Sequence, residues 1–299
     1  MVGLIFCAWV IIGMHVRLIG AASVVAVYVQ ESEVTAPTPA ATPPPYSMSD
    51  HLAPADSGLL WLVNQDNPLP PDFTPSNLVT HQGIRLYPAA YTAYTQMLTA
   101  MKADGGTHGL QLISAYRPYD YQREIFDRKV ASLIPEGHDA DTVEELASHT
   151  VQRPGASEHQ TGLALDVTIS GYLTEDFAAT KAGQWLAANS HRFGFIVRYP
   201  QHKTEITEII YEPWHLRYVG VPHASIMHEN DLTLEEYAQF IAGGMYIHWD
   251  GCEDGRAYYL VMFTQFWPEK APRGLTDVSS TRYGGGVGYI MTFRGVYGH

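Results

Sequence analysis

Between Gly162 and Ser170 the chain reads Leu-Ala-Leu-Asp-Val-Thr-Ile, an apolar strand with one carboxylate, Asp166, at its centre. A charge buried alone in a core is very costly, so Asp166 needs a basic side chain or a metal beside it. His159 precedes it across Gly162, a residue that permits a turn or a close backbone approach. His215 stands further on, at the end of Tyr211-Glu-Pro-Trp-His. A catalytic zinc takes three protein ligands from His and carboxylate and leaves a fourth position for water. His159, Asp166 and His215 can supply that set. A separate carboxylate must then move the proton of the water, and Glu212 is the candidate. Positions three apart on a regular strand face opposite sides, so Glu212 can share a cavity with His215 only if Pro213 breaks the strand. Taken singly, each residue has a plainer reading: a hydrogen-bonded histidine, an aspartate paired with arginine, a solvated glutamate.

The composition narrows the classes. A formal charge of −13 over 299 residues gives no general affinity for nucleic acid. Cys7 and Cys252 lie near opposite ends, so the fold does not rest on a disulfide, and a metal in mid-chain needs His, Asp or Glu. The same gap removes a cysteine nucleophile from the middle of the chain. There is no Ser-x-x-Lys, no G-x-S-x-G, no H-E-x-x-H and no P-loop.

Residues 4–29 are almost all apolar, interrupted by His15 and Arg17, and are long enough to cross a bilayer. They predict a signal peptide or membrane anchor over 1–30. No sharp small-x-small site follows, which favours the anchor. Residues 31–48, rich in Pro, Thr and Ala, read as a semi-rigid linker.

Beyond the linker, helical spacing predicts helices over 86–103, 119–133, 176–191 and 232–242, the last capped by Asp231. Strands are expected at 110–114, 163–169, 195–199, 206–211 and 216–219, with 135–157 a long loop holding a short helix. After Gly243-Gly244 the pattern turns β-like, at 258–263 and 287–293. The expected fold is α+β: a mainly antiparallel sheet flanked by helices and holding the metal site over 49–243, then a small β-rich C-terminal extension over 244–299. Packing against the domain is favoured for that extension over binding of wall glycan by its aromatics.

Ser157-x-His159-x-x-Gly162-x-Ala164-x-Asp166 followed by Glu212-x-Trp214-His215 resembles the signature of the VanY-type D-alanyl-D-alanine carboxypeptidases, a group of zinc peptidases. Leu62-Val-Asn64, Asn67-Pro-Leu-Pro70, Ser114-Ala-Tyr116-Arg117-Pro-Tyr119 with Gln122, Arg153-Pro-Gly155, Phe193-Gly-Phe-Ile196 and Leu216-Arg-Tyr-Val-Gly220 match in order, so the likeness covers roughly 57–240. The resemblance implies one zinc on His159, Asp166 and His215, Glu212 as general base, and Arg117 as the arginine that contacts substrate. It places Ser157 and Gln122 along the substrate cleft; Tyr116, in the matched substrate-binding stretch, can form an apolar cleft wall with Tyr119 and Trp214 or lie with them in the core, which is favoured for Trp214. A guanidinium at 117 can hold a terminal carboxylate bidentately or stabilise an oxyanion. The implied substrate is a peptidoglycan peptide ending in D-Ala-D-Ala, met outside the cytoplasm, with the membrane reached through the N-terminal segment. A related D,D-dipeptidase or cross-link endopeptidase is the near alternative. A non-catalytic wall-binding module is the distant one, since a structural zinc site needs no base.

Overall fold

The computed structural model describes residues 25–26, 56–105, 109–136, 142–243, 245–249, 257–266, 268, 275–283 and 286–296. The expected linker over 31–48 lies outside them, as does the expected signal or anchor apart from Val25–Ala26. In chain order the elements are β1 (Val25–Ala26), β2 (Val79–His81), β3 (Ile84–Leu86), α1 (Pro88–Ala103), β4 (Gln111–Ser114), α2 (Tyr119–Leu133), α3 (Val143–Ser148) and β5 (Ala164–Thr168). They continue with α4 (Lys181–Asn189), β6 (Phe195–Val197), α5 (Thr204–Thr207), β7 (His215–Tyr218), α6 (His223–Glu229) and α7 (Leu234–Ala242). The chain closes with β8 (Met245–Trp249), β9 (Ala257–Thr264), β10 (Leu275–Tyr283) and β11 (Gly286–Val296).

The fold is α+β, and the central sheet is antiparallel throughout, in the order β4-β5-β7-β6. α1 starts on Pro88, whose fixed φ suits the first helical turn. Its buried face, Ala90, Ala93, Tyr94, Met97 and Met101, packs with Leu165 and Val167 of β5 and Leu216 of β7. That packing turns the alternate residues of β5, Ala164, Asp166 and Thr168, to the other face of the sheet. β5 is buried on both faces, because the turn around His159 covers the second one.

Three expected elements differ. The 176–191 helix is broken: a single 3-10 turn, Glu175–Ala179, precedes α4, which Thr180 caps by accepting from Gly183 N. The strand expected at 206–211 is absent. α5 ends at Thr207, Glu208 takes a left-handed φ of 60°, and the following residues tie to α3 through Ile210 N–His149 O (3.0 Å). A short apolar run cannot by itself distinguish strand from turn. The cap of α7 is Thr233, not Asp231. Thr233 Oγ1 accepts from Glu236 N and Glu236 Oε2 accepts from Thr233 N, a capping box legible as Thr-x-x-Glu. Asp231 instead pairs with His202 at 2.8 Å.

The C-terminal strands form a small sheet ordered β1-β8-β9-β11-β10. Val261 and Ile290 of that sheet share a core with Leu60, Ile226, Tyr237 and Ile241. Buried His223 spans the seam, with Nδ1 2.8 Å from Tyr237 Oη and Nε2 3.0 Å from Thr292 Oγ1. Residues 57–60 are stitched to β10 by Ser57 N–Val278 O (2.9 Å) and Leu60 N–Ser279 Oγ (2.9 Å). Trp267 and Gly284-Gly285 lie outside the described residues.

Candidate metal centre and cleft

Strand register brings two site residues together. Asp166 of β5 is directly opposite His215 of β7, so both side chains leave the same face of the sheet. The third, His159, comes from a single 3-10 turn, Glu158–Thr161, which ends at Gly162 with a φ of 74°. A β-carbon at Gly162 would stand 2.6 Å from Leu78 Cδ2, and its carbonyl accepts from Tyr87 N at 2.9 Å. Glycine therefore answers both the left-handed turn and the close approach.

All three residues are buried. His159 Nδ1 donates to the Ala115 carbonyl at 2.6 Å, which leaves Nε2 facing Asp166 Oδ2 at 3.2 Å. His215 Nδ1 lies 3.2 Å from Asp166 Oδ1 and 3.5 Å from Glu212 Oε2. The two imidazole rings stand edge to face, 4.9 Å apart. One ligand atom from each residue fits within 4.8 Å of the others, and among the described residues no other such group occurs. His159 Nε2 and Asp166 Oδ1 are buried without a hydrogen bond, an arrangement that costs free energy unless something else satisfies them. A cation does so, and two imidazoles with one carboxylate are a zinc donor set. Burial and the Arg117 charge, against the pull of Asp166, bring the His159 pKa down to about 4, so its ring is neutral, the form that ligates. Burial opposes a charge on Asp166, but His159 and His215 hold its carboxyl well below the usual range.

Glu212 reaches the same cavity because it is not on the strand. His215 N bonds back to Glu212 O at 3.1 Å, closing a turn through Pro213, and Glu212 N bonds to Tyr199 O at 3.1 Å. Burial pushes its carboxyl up to about 7, with His215 and Arg117 opposing and Asp166 adding. A carboxylate poised there exchanges protons readily at neutral pH.

A cavity of about 340 Å³ opens over the site, lined by Arg117, Gln122, Ser157, Tyr199, Glu212 and Trp214. Arg117 is placed by its backbone N–H to His159 O (3.0 Å), and its Nε is buried without a partner. Gln122 Nε2 donates to Gln152 O at 2.6 Å, leaving Oε1 unpartnered. Tyr116 stands apart: its ring lies under the Arg85 guanidinium, 4.5 Å from it, and it does not line the cavity. Trp214 belongs both to the core and to the cavity lining.

The sequence reading passed over Glu158, Arg198 and Tyr199. Glu158 and Arg198 pair in full burial at 2.7 Å, and Arg217 approaches Glu158 to 2.9 Å. Burial alone would raise the Glu158 pKa; Arg198 and Arg217 outweigh it and hold the carboxyl far below its usual range. The available signal was Arg217 inside the apolar run Leu216–Val219, the same demand for a partner that Asp166 makes. The ring of Tyr199 lies 4.9 Å from that of His215, and burial raises its hydroxyl.

The VanY family, described as D-alanyl-D-alanine carboxypeptidase, matches residues 83–221, a span that holds every residue of this site. The chain is 41% identical over 192 residues to the putative carboxypeptidase YodJ of Bacillus subtilis (strain 168), covering 60% of this chain and 66% of that protein, just under two thirds of its length. It is 33% identical over 192 residues to the bifunctional D-Ala-D-Ala dipeptidase and D-Ala-D-Ala carboxypeptidase VanXYC of Enterococcus gallinarum, covering 61% of this chain and 95% of that one. Among solved structures, the vancomycin-resistance D,D-pentapeptidase VanY of a VanB-type cassette, a glutamate-to-alanine mutant in complex with Zn(II), is 38% identical with a TM-score of 0.54, covering 60% of this chain and 99% of that one.

Proposed function

This chain belongs to the VanY family of D-alanyl-D-alanine carboxypeptidases, and on that premise we propose that it is a zinc-dependent D,D-carboxypeptidase removing the terminal D-alanine from peptidoglycan peptides that end in D-Ala-D-Ala. The observation that carries the reading is the register pair Asp166–His215, closed by His159, with the raised carboxylate of Glu212 3.5 Å from His215 Nδ1. A structural zinc site would have no use for that carboxylate.

His159, Asp166 and His215 would hold the ion. Zinc so held acidifies a water molecule and polarises the scissile carbonyl. Glu212 takes the proton of the attacking water and returns it to the departing amine, so that water adds across the peptide bond and free D-alanine leaves. Arg117 supplies a guanidinium for negative charge, on the substrate's terminal carboxylate or on the developing oxyanion. Gln122 Oε1 and Ser157 offer polar contacts in the same cavity.

Ile209 and Ile210, which line the catalytic cavity, also line an open surface depression beside it with Tyr211, which leaves room for the rest of a peptide. The bifunctional name of the Enterococcus gallinarum relative keeps dipeptidase action as the second reading. Free D-alanine released from a D-Ala-D-Ala peptide, and abolished by chelator, supports the carboxypeptidase. Release only from a free dipeptide, or only from cross-linked wall peptides, moves the assignment to the alternatives.

The same reading sets the enzyme outside the cytoplasm, tethered through its N-terminal segment. The support is the apolar run and the linker. Among the described residues no helix is long and apolar enough to cross a membrane. Labelling of an engineered surface cysteine in intact cells by an impermeant reagent checks the location, and protection of that cysteine refutes it.

A further inference from the structure

Glu158 precedes the ligand His159, and its side chain is wholly enclosed. Its Oε1 accepts from Arg198 Nε at 2.7 Å and lies 2.9 Å from Arg217 Nη1, a contact poorly angled for a hydrogen bond that acts as an ion pair. Arg198 turns its remaining nitrogens to Glu235, at 2.9 and 2.5 Å. Arg217 spends its other donors on the carbonyls of Leu59, Trp61 and Tyr218. The two arginines and two carboxylates cancel in charge, and the chemistry above uses none of them. One acceptor is left over. Glu158 Oε2 is buried with no hydrogen bond, and 3.8 Å away stands His215 Nε2, also buried with none.

We infer that Glu158 is a positioning residue for the metal centre: its Oε2 takes the Nε2–H of His215 and so fixes the tautomer whose Nδ1 lone pair faces the metal. The inference rests on the zinc reading and deepens it. His215 turns Nδ1 toward Asp166 and Glu212, so Nδ1 is its ligand atom, and a neutral ring can offer that lone pair only with its proton on Nε2. His159 solves the same problem in the opposite sense, giving Nδ1–H to the Ala115 carbonyl and keeping Nε2 free. An acceptor for the second proton of a ligating histidine is the usual way to set ring and tautomer. Among the described residues no backbone carbonyl takes that proton from His215, and the acceptor that faces it is Glu158. The pair stands about 1 Å beyond hydrogen-bond length, a gap that a small rotation of the ring closes. The two arginines hold the carboxylate still while it does so.

The zinc-loaded full chain, labelled with nitrogen-15 histidine, is read by long-range proton–nitrogen NMR. His215 is expected with its proton on Nε2 and with Nδ1 shifted by metal. A proton on Nδ1, or zinc on Nε2, overturns the inference while leaving the zinc reading intact; a chain that binds no zinc overturns both. Zinc affinity by chelator competition gives the second arm. Glu158→Gln is expected to weaken zinc about 10–100-fold, whereas Glu235→Gln, which opens the same cluster on the side away from His215, changes it by no more than about twofold. Equal losses in the two variants reduce Glu158 to a structural charge and overturn the inference. If Glu158→Gln fails to fold, the wild-type spectrum alone decides.

Discussion

Gly162→Ala tests how the turn delivers His159. At a φ of 74° an alanine sits in the left-handed region, at a cost of about 1–2 kcal/mol. Its methyl would meet Leu78 Cδ2 at 2.6 Å and Tyr87 N at 3.3 Å. The first is the tip of a half-buried side chain that can turn away, so crowding adds roughly 1–3 kcal/mol at its lower end. Reduced freedom of the unfolded chain returns about 0.4–1 kcal/mol. The net is a loss of about 2 kcal/mol, or about 4–8 °C in Tm for a domain of this size. Gly171→Ala is the control. Its φ of 81° is equally left-handed, but nothing lies within 4 Å of the new methyl, so crowding vanishes and the loss falls below about 1 kcal/mol. Thermal melts of the zinc-free proteins measure both. Zinc titration of Gly162→Ala is expected to show weaker binding as well, because Gly162 N bonds to His159 O at 3.2 Å. Equal Tm values for the two variants refute the argument from space, and a Gly162→Ala protein with wild-type Tm refutes the argument from the turn.

Glu212→Gln keeps the shape of the base and removes its function: kcat for D-alanine release is expected to fall about 10²–10⁴-fold with zinc affinity near wild type, and an active variant refutes the assignment. The acid limb of the kcat/KM profile should vanish with that substitution, since a carboxyl raised to about 7 acts as a base only above its pKa. Arg117→Ala should lower kcat/KM about 10–1000-fold; a loss confined to KM identifies the terminal carboxylate as its ligand, a loss in kcat identifies the oxyanion, and no loss removes Arg117 from the site. Burial, with the Asp56 charge adding and Ser57 opposing, raises the Asp277 carboxyl from 3.8 to about 6. A raised carboxyl favours the fold below pH 4 and loses that contribution as pH climbs through about 6, so Asp277→Asn should gain roughly 2 kcal/mol at pH 7.5 and almost nothing at pH 4 in urea melts.

The elements legible in the sequence were those whose pattern was local. Helical spacing predicted α1 over 86–103, two residues before its start at Pro88, and Tyr119–Leu133 came out with its bounds unchanged. Asp166 announced the site because an acid inside an apolar strand has few explanations. The 206–211 run misled because its alternation of buried Thr207 and Ile209 with exposed Ile206 and Ile210 is that of a strand, whereas α5 runs to Thr207 and Glu208 turns left-handed at a φ of 60°. Glu158 was invisible for another reason. Between Ser157 and His159 it looks like any polar residue, and its arginine partner at 198 is 40 residues away, so only the folded chain shows what it faces.

The stitching of residues 57–60 to β10 bears on the order in which the protein can be completed. Ser57 and Leu60 find their partners in Val278 and Ser279, and Leu60 is separated from Ser279 by 219 positions. The carbonyls of Leu59 and Trp61, held in that same stretch, receive Arg217, whose guanidinium abuts Glu158 behind His215. During synthesis residues 57–60 therefore wait for β10 before these contacts can form. A polypeptide cut short at Gly243 would carry every ligand, with Glu158 and Arg217 behind them, and would lose the two hydrogen bonds that tie residues 57–60 to β10.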